Sequence, residues 1–301
     1  MDTQADNLLD IEARVAKREP LTREDAERVL HCPDLPAVGG LGEAARQARS
    51  GDRVTYGRVL TLAPGPQPDA RGEAVEVRLI GAPSSIDEAC ERVSAAASLA
   101  AGATLTGFSL ADLLHLVGSD HLALAELAAV LRQNGLEAVA EIPLDRLGDT
   151  DNAIEVMRAV MHGGLGAWRA TVDRGPAAVR LDLIERAAAV QRETGALKAF
   201  APLPRIEEAD GPSTGYDDVR TVVVAALMCP SIPNIQVDWP LYGPKLAQVA
   251  IAYGANDIDG VSPMDTLDQG LRRSPREDVE RQIRAAFAVP VPRDGRYGSP
   301  T

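Results

Sequence analysis

From Val54 onward the chain repeats one pattern: a short apolar run, then a longer amphipathic stretch with helical spacing. The runs are Val54 to Leu62, Ala74 to Ile80, Ala103 to Phe108, Leu136 to Ile142, Gly166 to Val172, Ala196 to Pro202, Asn234 to Trp239 and Asp257 to Val261. Short runs that are apolar throughout, separated by helices, are what strands buried on both faces and joined by helical crossovers require. The pattern therefore demands an α/β fold with a parallel sheet, and eight such runs are the number that closes a TIM-type (β/α) barrel. Ser85, Ser109 and Ser262 each precede an acid by three residues (Glu88, Asp112 and Asp265) and read as helix N-caps. Gly195 reads as the left-handed residue that ends the helix reaching Thr194.

Residues 1–50 lack this alternation and form an expected N-terminal helical segment, with residues 51–301 as the barrel and its C-terminal tail. Thr22 to Asp25 has the form of a capping box, and Leu41 to Arg49 reads as a second helix, with Pro33 and Pro36 between them. Two loops stand out, the Pro-rich Ala63 to Gly72 and the polar Glu207 to Gly215. A net charge of -13 argues against a nucleic-acid partner, since no basic cluster exceeds the short run around Arg272 and Arg273. No apolar stretch is long enough to span a bilayer and the acidic start is unlike a signal peptide, so the expected address is the cytoplasm, with no membrane partner.

Strand residues two apart share a face. Glu76 and Arg78 do so, as do Arg169, Thr171 and Asp173, Gln236 and Asp238, and Asp257 and Asp259. Polar side chains on otherwise apolar strands are expected to point into the barrel mouth. One reading is a chamber in which Arg78, Arg169 and Lys198 grip a small anionic metabolite while Asp238, Asp257 and Asp259 accept its donors. The other is an internal ion-pair network in a barrel that binds nothing, with about three cations against about six carboxylates. His31, His115, His121 and His162 have no ligand spacing, so no metal site is expected. No nucleophile elbow, phosphate loop or dinucleotide fingerprint is present.

The segments Gln191 to Gly195, Phe200 to Leu203, Asn234 to Trp239, Gly243 to Gln248 and Gly254 to Gly260 follow one another in an order that resembles the back half of a known family. That family is the futalosine (menaquinone) branch of the radical S-adenosylmethionine superfamily, aminofutalosine synthase and cyclic dehypoxanthine futalosine synthase, with deazaflavin-cofactor synthases more distant. The resemblance runs from Thr22 to Tyr297 and implies a radical-enzyme barrel, with Glu141 matching a site position and Val289 to Tyr297 matching the family's C-terminal tail.

It also implies a four-iron cluster on a C-x-x-x-C-x-x-C loop after the first strand. The chain has only Cys32, Cys90 and Cys229, and the Pro-rich loop occupies that place. Leu79 to Gly81 and Glu137 to Ile142 stand where the family carries glycines that approach the cofactor. These departures lead to the expectation of no cofactor, neither cluster nor S-adenosylmethionine, and of a pseudoenzyme. Such a chain would serve menaquinone biosynthesis as the partner of an intact radical homologue or pathway enzyme, or as a binder of an intermediate. A repurposed enzyme acting on an anionic metabolite, and a radical enzyme with unconventional ligands, are the alternatives.

Overall fold

Three helices precede the first strand in the computed structural model, which describes residues 8–17, 19, 21–174, 179–205, 215–265 and 275–298. They are α1 (Leu9–Ala16), α2 (Arg23–His31) and α3 (Leu35–Ser50). Thr22 and Asp25 form the expected capping box, each side chain accepting the other's backbone N–H. α3 begins earlier than its sequence pattern indicated, because Asp34 accepts the Ala37 N–H and Pro36 sits in the first turn, where its missing N–H costs nothing. These helices lie against the side of the barrel. Arg49 of α3 binds the carbonyls of Ala226, Cys229 and Ile232 at the end of a barrel helix.

The barrel follows as β1 (Arg53–Leu62), β2 (Glu76–Leu79), α4 (Ile86–Leu99), β3 (Thr104–Ser109), α5 (Leu110–Leu116), α6 (His121–Gln133), β4 (Ala138–Pro143), α7 (Thr150–His162), β5 (Arg169–Val172), α8 (Arg180–Thr194), β6 (Ala199–Pro204), α9 (Gly215–Met228), β7 (Asn234–Asp238), α10 (Trp239–Ala252) and β8 (Asp257–Val261). All eight apolar runs became strands, each paired in parallel with its neighbours. β1 pairs with both β8 and β2, which closes the ring. Gly195 ends α8 at φ 62° as its position implied. Ser85 caps α4 through Glu88 N–H, but Ser109 does not cap α5: its hydroxyl has no partner among the described residues. The Glu207 to Gly215 loop lies almost wholly outside the described residues, as do Arg272, Arg273 and any helix following Ser262. Among the described residues no single helix is long and apolar enough to cross a membrane.

The expected C-terminal helical tail is α11 (Pro275–Ala285), but after it a ninth strand, β9 (Val289–Pro292), joins the sheet. Its cause lies in strand lengths. β1 has ten residues and β2 four, so β2 covers only Val59 to Leu62 and leaves the first half of that edge open. β9 fills it, pairing Val289 to Pro292 with Arg53 to Tyr56. Val289 and Arg293 donate to β1, so Pro290 and Pro292 fall on the outer edge, where their missing N–H groups blunt further strand addition.

Beyond β9 the chain turns under the barrel, and Arg293 enters its interior. Gly57 makes room for it, since a Cβ there would lie 2.7 Å from the guanidinium. Gly57→Ala is expected to lower stability by about 1–3 kcal/mol through overpacking. Gly40→Ala in α3, where a Cβ meets nothing within 4 Å, should raise it by about 0.5–1 kcal/mol. Urea titration of both variants checks the contrast.

Candidate functional site

The interior of the barrel is held by charge. Asp259 on β8 is fully buried and receives three guanidiniums: Arg78 from β2 at 2.7 Å, Arg293 from the tail at 2.8 Å and Arg169 from β5 at 3.4 Å. Arg78 also binds Glu76 at 2.7 Å, and Glu76 accepts the Thr106 hydroxyl at 2.7 Å. Two residues earlier on the same strand, Asp257 takes Arg293 Nε at 2.8 Å, Gln236 Nε2 at 2.7 Å and the Thr55 hydroxyl. Gln236 Oε1 in turn accepts Arg169 Nε at 2.6 Å. Tyr297 lies against Arg293, whose guanidinium is 4.2 Å from the ring centre, and its hydroxyl accepts from Gln236 at 3.3 Å.

The two aspartates differ in their protonation. Burial raises the Asp259 carboxyl, but the surrounding guanidiniums of Arg78, Arg169 and Arg293 outweigh it and hold the group far below the usual carboxylate range. Asp257 faces Arg293 alone, and burial pushes its carboxyl up.

Toward the C-terminal ends of the strands the arrangement opens. Glu141 on β4 pairs with Arg205, the residue after β6, and lies 3.8 Å from Arg169 Nη1. Asp238 caps α10 through the Leu241 N–H and lies 3.4 Å from Arg169. Asp173, just past β5, meets Arg146 at 3.3 Å, and Arg146 also holds Asp112. Burial and the neighbouring Asp145 raise the Asp173 carboxyl. Three buried polar atoms in this region have no hydrogen-bond partner among the described residues: Ser109 Oγ, Thr171 Oγ1 and Arg169 Nη1. They border Glu141, because Ser109 sits beside it in the strand register and Thr171 follows Arg169 by two on β5.

Of the residues expected to line one chamber, Arg78, Arg169, Gln236, Asp257 and Asp259 form the closed interior network, while Glu141, Asp173 and Asp238 lie at the rim. Lys198 is at the opposite end. It precedes β6, so it stands at the N-terminal side of the barrel, where it donates to Arg296 O at 3.0 Å and lies 4.5 Å from the Trp168 ring centre. Its assignment to the mouth is corrected on that ground: strand alternation gives a face, and the position along the strand decides the end.

Arg205 is not among the residues the sequence singles out, and Arg293 of the C-terminal tail pairs with Asp257 and Asp259 inside the ring. With both included, four guanidiniums (Arg78, Arg169, Arg205, Arg293) meet five carboxylates (Glu76, Glu141, Asp238, Asp257, Asp259), and the expected acid surplus nearly closes. A charged residue directly after the apolar strand Ala199–Pro204 was the available signal for Arg205.

Asp259→Asn is expected to cost about 3–5 kcal/mol, because it strips the shared acceptor from three buried guanidiniums. The depressed carboxyl also sets an acid limb. Its contribution is complete above the unfolded-chain value of about 4 and is lost as pH falls toward the lower folded value. Denaturant titrations between neutral and acid pH should show stability falling below about pH 4 in the wild type, with a shallower fall in the variant.

No family model matches the chain. A 5-amino-6-(D-ribitylamino)uracil--L-tyrosine 4-hydroxyphenyl transferase of Archaeoglobus fulgidus is 26% identical over 63% of this chain and 63% of its own length. Aminodeoxyfutalosine synthase of Thermus thermophilus is 27% identical over 65% and 60%, and that of Streptomyces coelicolor is 25% identical over 96% and 92%. The chain thus spans about three fifths of the length of the first two. Among solved structures, methylornithine synthase superposes with a TM-score of 0.64 at 15% identity, covering 93% of this chain and 97% of that one. The FeFe-hydrogenase maturase HydG gives 0.65 at 14% identity, covering 96% and 76%.

These relatives overturn the expectation of no cofactor, since radical enzymes of this kind use a 4Fe–4S cluster and S-adenosylmethionine. The donor set of this chain does not fit the cluster. Cys32 ends α2, Cys90 lies within α4, and Cys229 is buried after α9 with its thiol donating to Ile184 O and pushed up to about 12 by burial. No cysteine lies outside the described residues, and among those residues no three Cys, His, Asp or Glu side chains gather as metal ligands. The loop after β1 folds on itself instead, with Gln67 bonded to the Ala63 and Gly65 carbonyls. In sequence the chain is similar to the aminodeoxyfutalosine synthases, and its closed eight-stranded ring shares the barrel fold of methylornithine synthase and HydG.

Proposed function

We propose that this barrel binds an oxyanion-bearing intermediate of futalosine-type chemistry at its rim and serves beside an intact radical enzyme, rather than generating radicals through thiolates of its own. The observation that carries the reading is the set of unpartnered polar atoms, Ser109 Oγ, Thr171 Oγ1 and Arg169 Nη1, around the Glu141–Arg205 pair. Buried donors without acceptors are costly, and a bound carboxylate or phosphate relieves all three at once. Arg205 adds to this. Burial lowers its affinity for its proton, and an added anion offsets that loss. The dispersal of Cys32, Cys90 and Cys229 over three separate places in the fold supports the second half of the proposal.

Aminodeoxyfutalosine, the product named by the relatives, is the first ligand to titrate calorimetrically. Binding is expected, with Ser109→Ala and Thr171→Val each weakening it by about tenfold, the worth of one hydrogen bond to a charged group. Both variants should keep or slightly gain stability, because each removes a buried hydroxyl that has no partner. Absence of binding, together with a four-iron spectrum and 5'-deoxyadenosine release after anaerobic iron and sulfide reconstitution, would sink the proposal.

A further inference from the structure

The N-terminal end of a TIM-type barrel is ordinarily closed packing, with chemistry confined to the opposite face. Here the tail that passes beneath the ring stops short of filling it. Arg293 and Tyr297 plug the centre, and beside them lies a cavity of about 570 Å³. Its walls come from the turns that lead into β4, β5 and β6 and from the tail residue Arg296. That volume falls within the range of small-ligand sites.

Its chemistry is unlike the rest of the molecule. In a chain of net charge -13, the cavity gathers three cations, Arg132, Lys198 and Arg296, against one lining carboxylate, Glu137, which Arg296 already engages through Nε at 2.8 Å. Asp294 is the other acid nearby, and its Oδ1 is taken by the backbone N–H groups of Arg296 and Gly298. Lys198 uses one of its three donors on Arg296 O, which leaves two for a ligand.

Trp168 forms the floor and Met161, Leu165, Ala167 and Ala196 the apolar wall. The indole folds so tightly over Gly166 that a Cβ there would lie 2.3 Å from it, so the glycine is what seats the ring. Lys198 is held 4.5 Å from the ring centre, fixing an ammonium above an aromatic surface at the cavity wall. Gly164 and Gly195 keep the opening clear, with nothing closer than 3.7 Å to a Cβ built at either.

We propose that this cavity is a second binding site, separate from the rim, for a small organic anion: an apolar or aromatic body against Trp168, Met161 and Leu165, and a carboxylate or phosphate group held by Lys198, Arg132 and Arg296. The cations explain the charge of the ligand and the apolar wall explains its body. The central plug at Arg293 and Tyr297 is held by its own partners, Asp257, Asp259 and Gln236.

Calorimetric titration of the full chain with benzoate, phenyl phosphate and benzyl alcohol tests the site. At least one of the two anions should bind and the alcohol should not, and the stronger anion identifies the headgroup. In a Trp239→Phe background the same anion should quench the remaining tryptophan fluorescence, which then comes from Trp168 alone. Lys198→Met is expected to weaken binding about tenfold or more, as loss of a charge-assisted hydrogen bond does. Arg132→Met, at an exposed residue whose side chain hydrogen-bonds only the Leu136 carbonyl among the described residues, should weaken it several-fold and decides the matter if Lys198→Met loses its circular dichroism. Failure of both anions to bind, equal binding of the alcohol, or affinity unchanged in the folded variants would overturn the proposal.

Discussion

The barrel is organised around one fully buried carboxylate. Asp259 could not remain ionised in an apolar interior alone, since burying a charge without partners costs several kcal/mol at least. Three guanidiniums reach it from three separate parts of the chain: Arg78 from β2, Arg169 from β5 and Arg293 from the tail beyond β9. The group therefore ties the first half of the barrel to its last strand and both to the C-terminal segment. Asp257, Gln236 and Glu76 take most of the remaining donors, so the network is closed below the rim and leaves Arg169 Nη1 open at it.

That closure decides where ligand chemistry can occur. A centre already filled with paired charges leaves the rim, where Glu141, Arg205, Ser109 and Thr171 sit, and the underside, where Lys198 and Trp168 sit. The same reasoning bears on the relatives' cofactor. A four-iron cluster needs thiolates converging on one place, and the cysteines here lie at the end of α2, within α4 and after α9. Kinship with radical enzymes and the donor set of this particular chain thus point in different directions. The loop after β1, whose Gln67 side chain bonds its own carbonyls, is the physical site of that divergence.

Much of the fold was legible in advance because it rests on local rules. Every one of the eight apolar runs became a strand, as buried parallel strands must be apolar on both faces. Thr22 with Asp25, Ser85 with Glu88, and Gly195 behaved as caps, since capping depends on residues only a few positions apart. Ser109 had the same signature and did not cap: its buried hydroxyl has no hydrogen-bond partner among the described residues. The residues of the site were recognised as polar intruders on apolar strands, but not their sorting among interior, rim and underside.

The sequence by itself determined the strands, their alternation with helices, the closed ring these imply, and the absence of a clustered cysteine motif, because each follows from side-chain period or from spacing along the chain. Only the tertiary structure decided which charges meet. Arg293 lies 36 residues from Asp257 and 34 from Asp259 along the chain, and Arg78 lies 181 from Asp259. Such partners are chosen by barrel closure, strand stagger and the unpaired edge of β1 that draws β9 into place. Ion pairs in a buried core are long-range consequences of packing, and no local pattern specifies them.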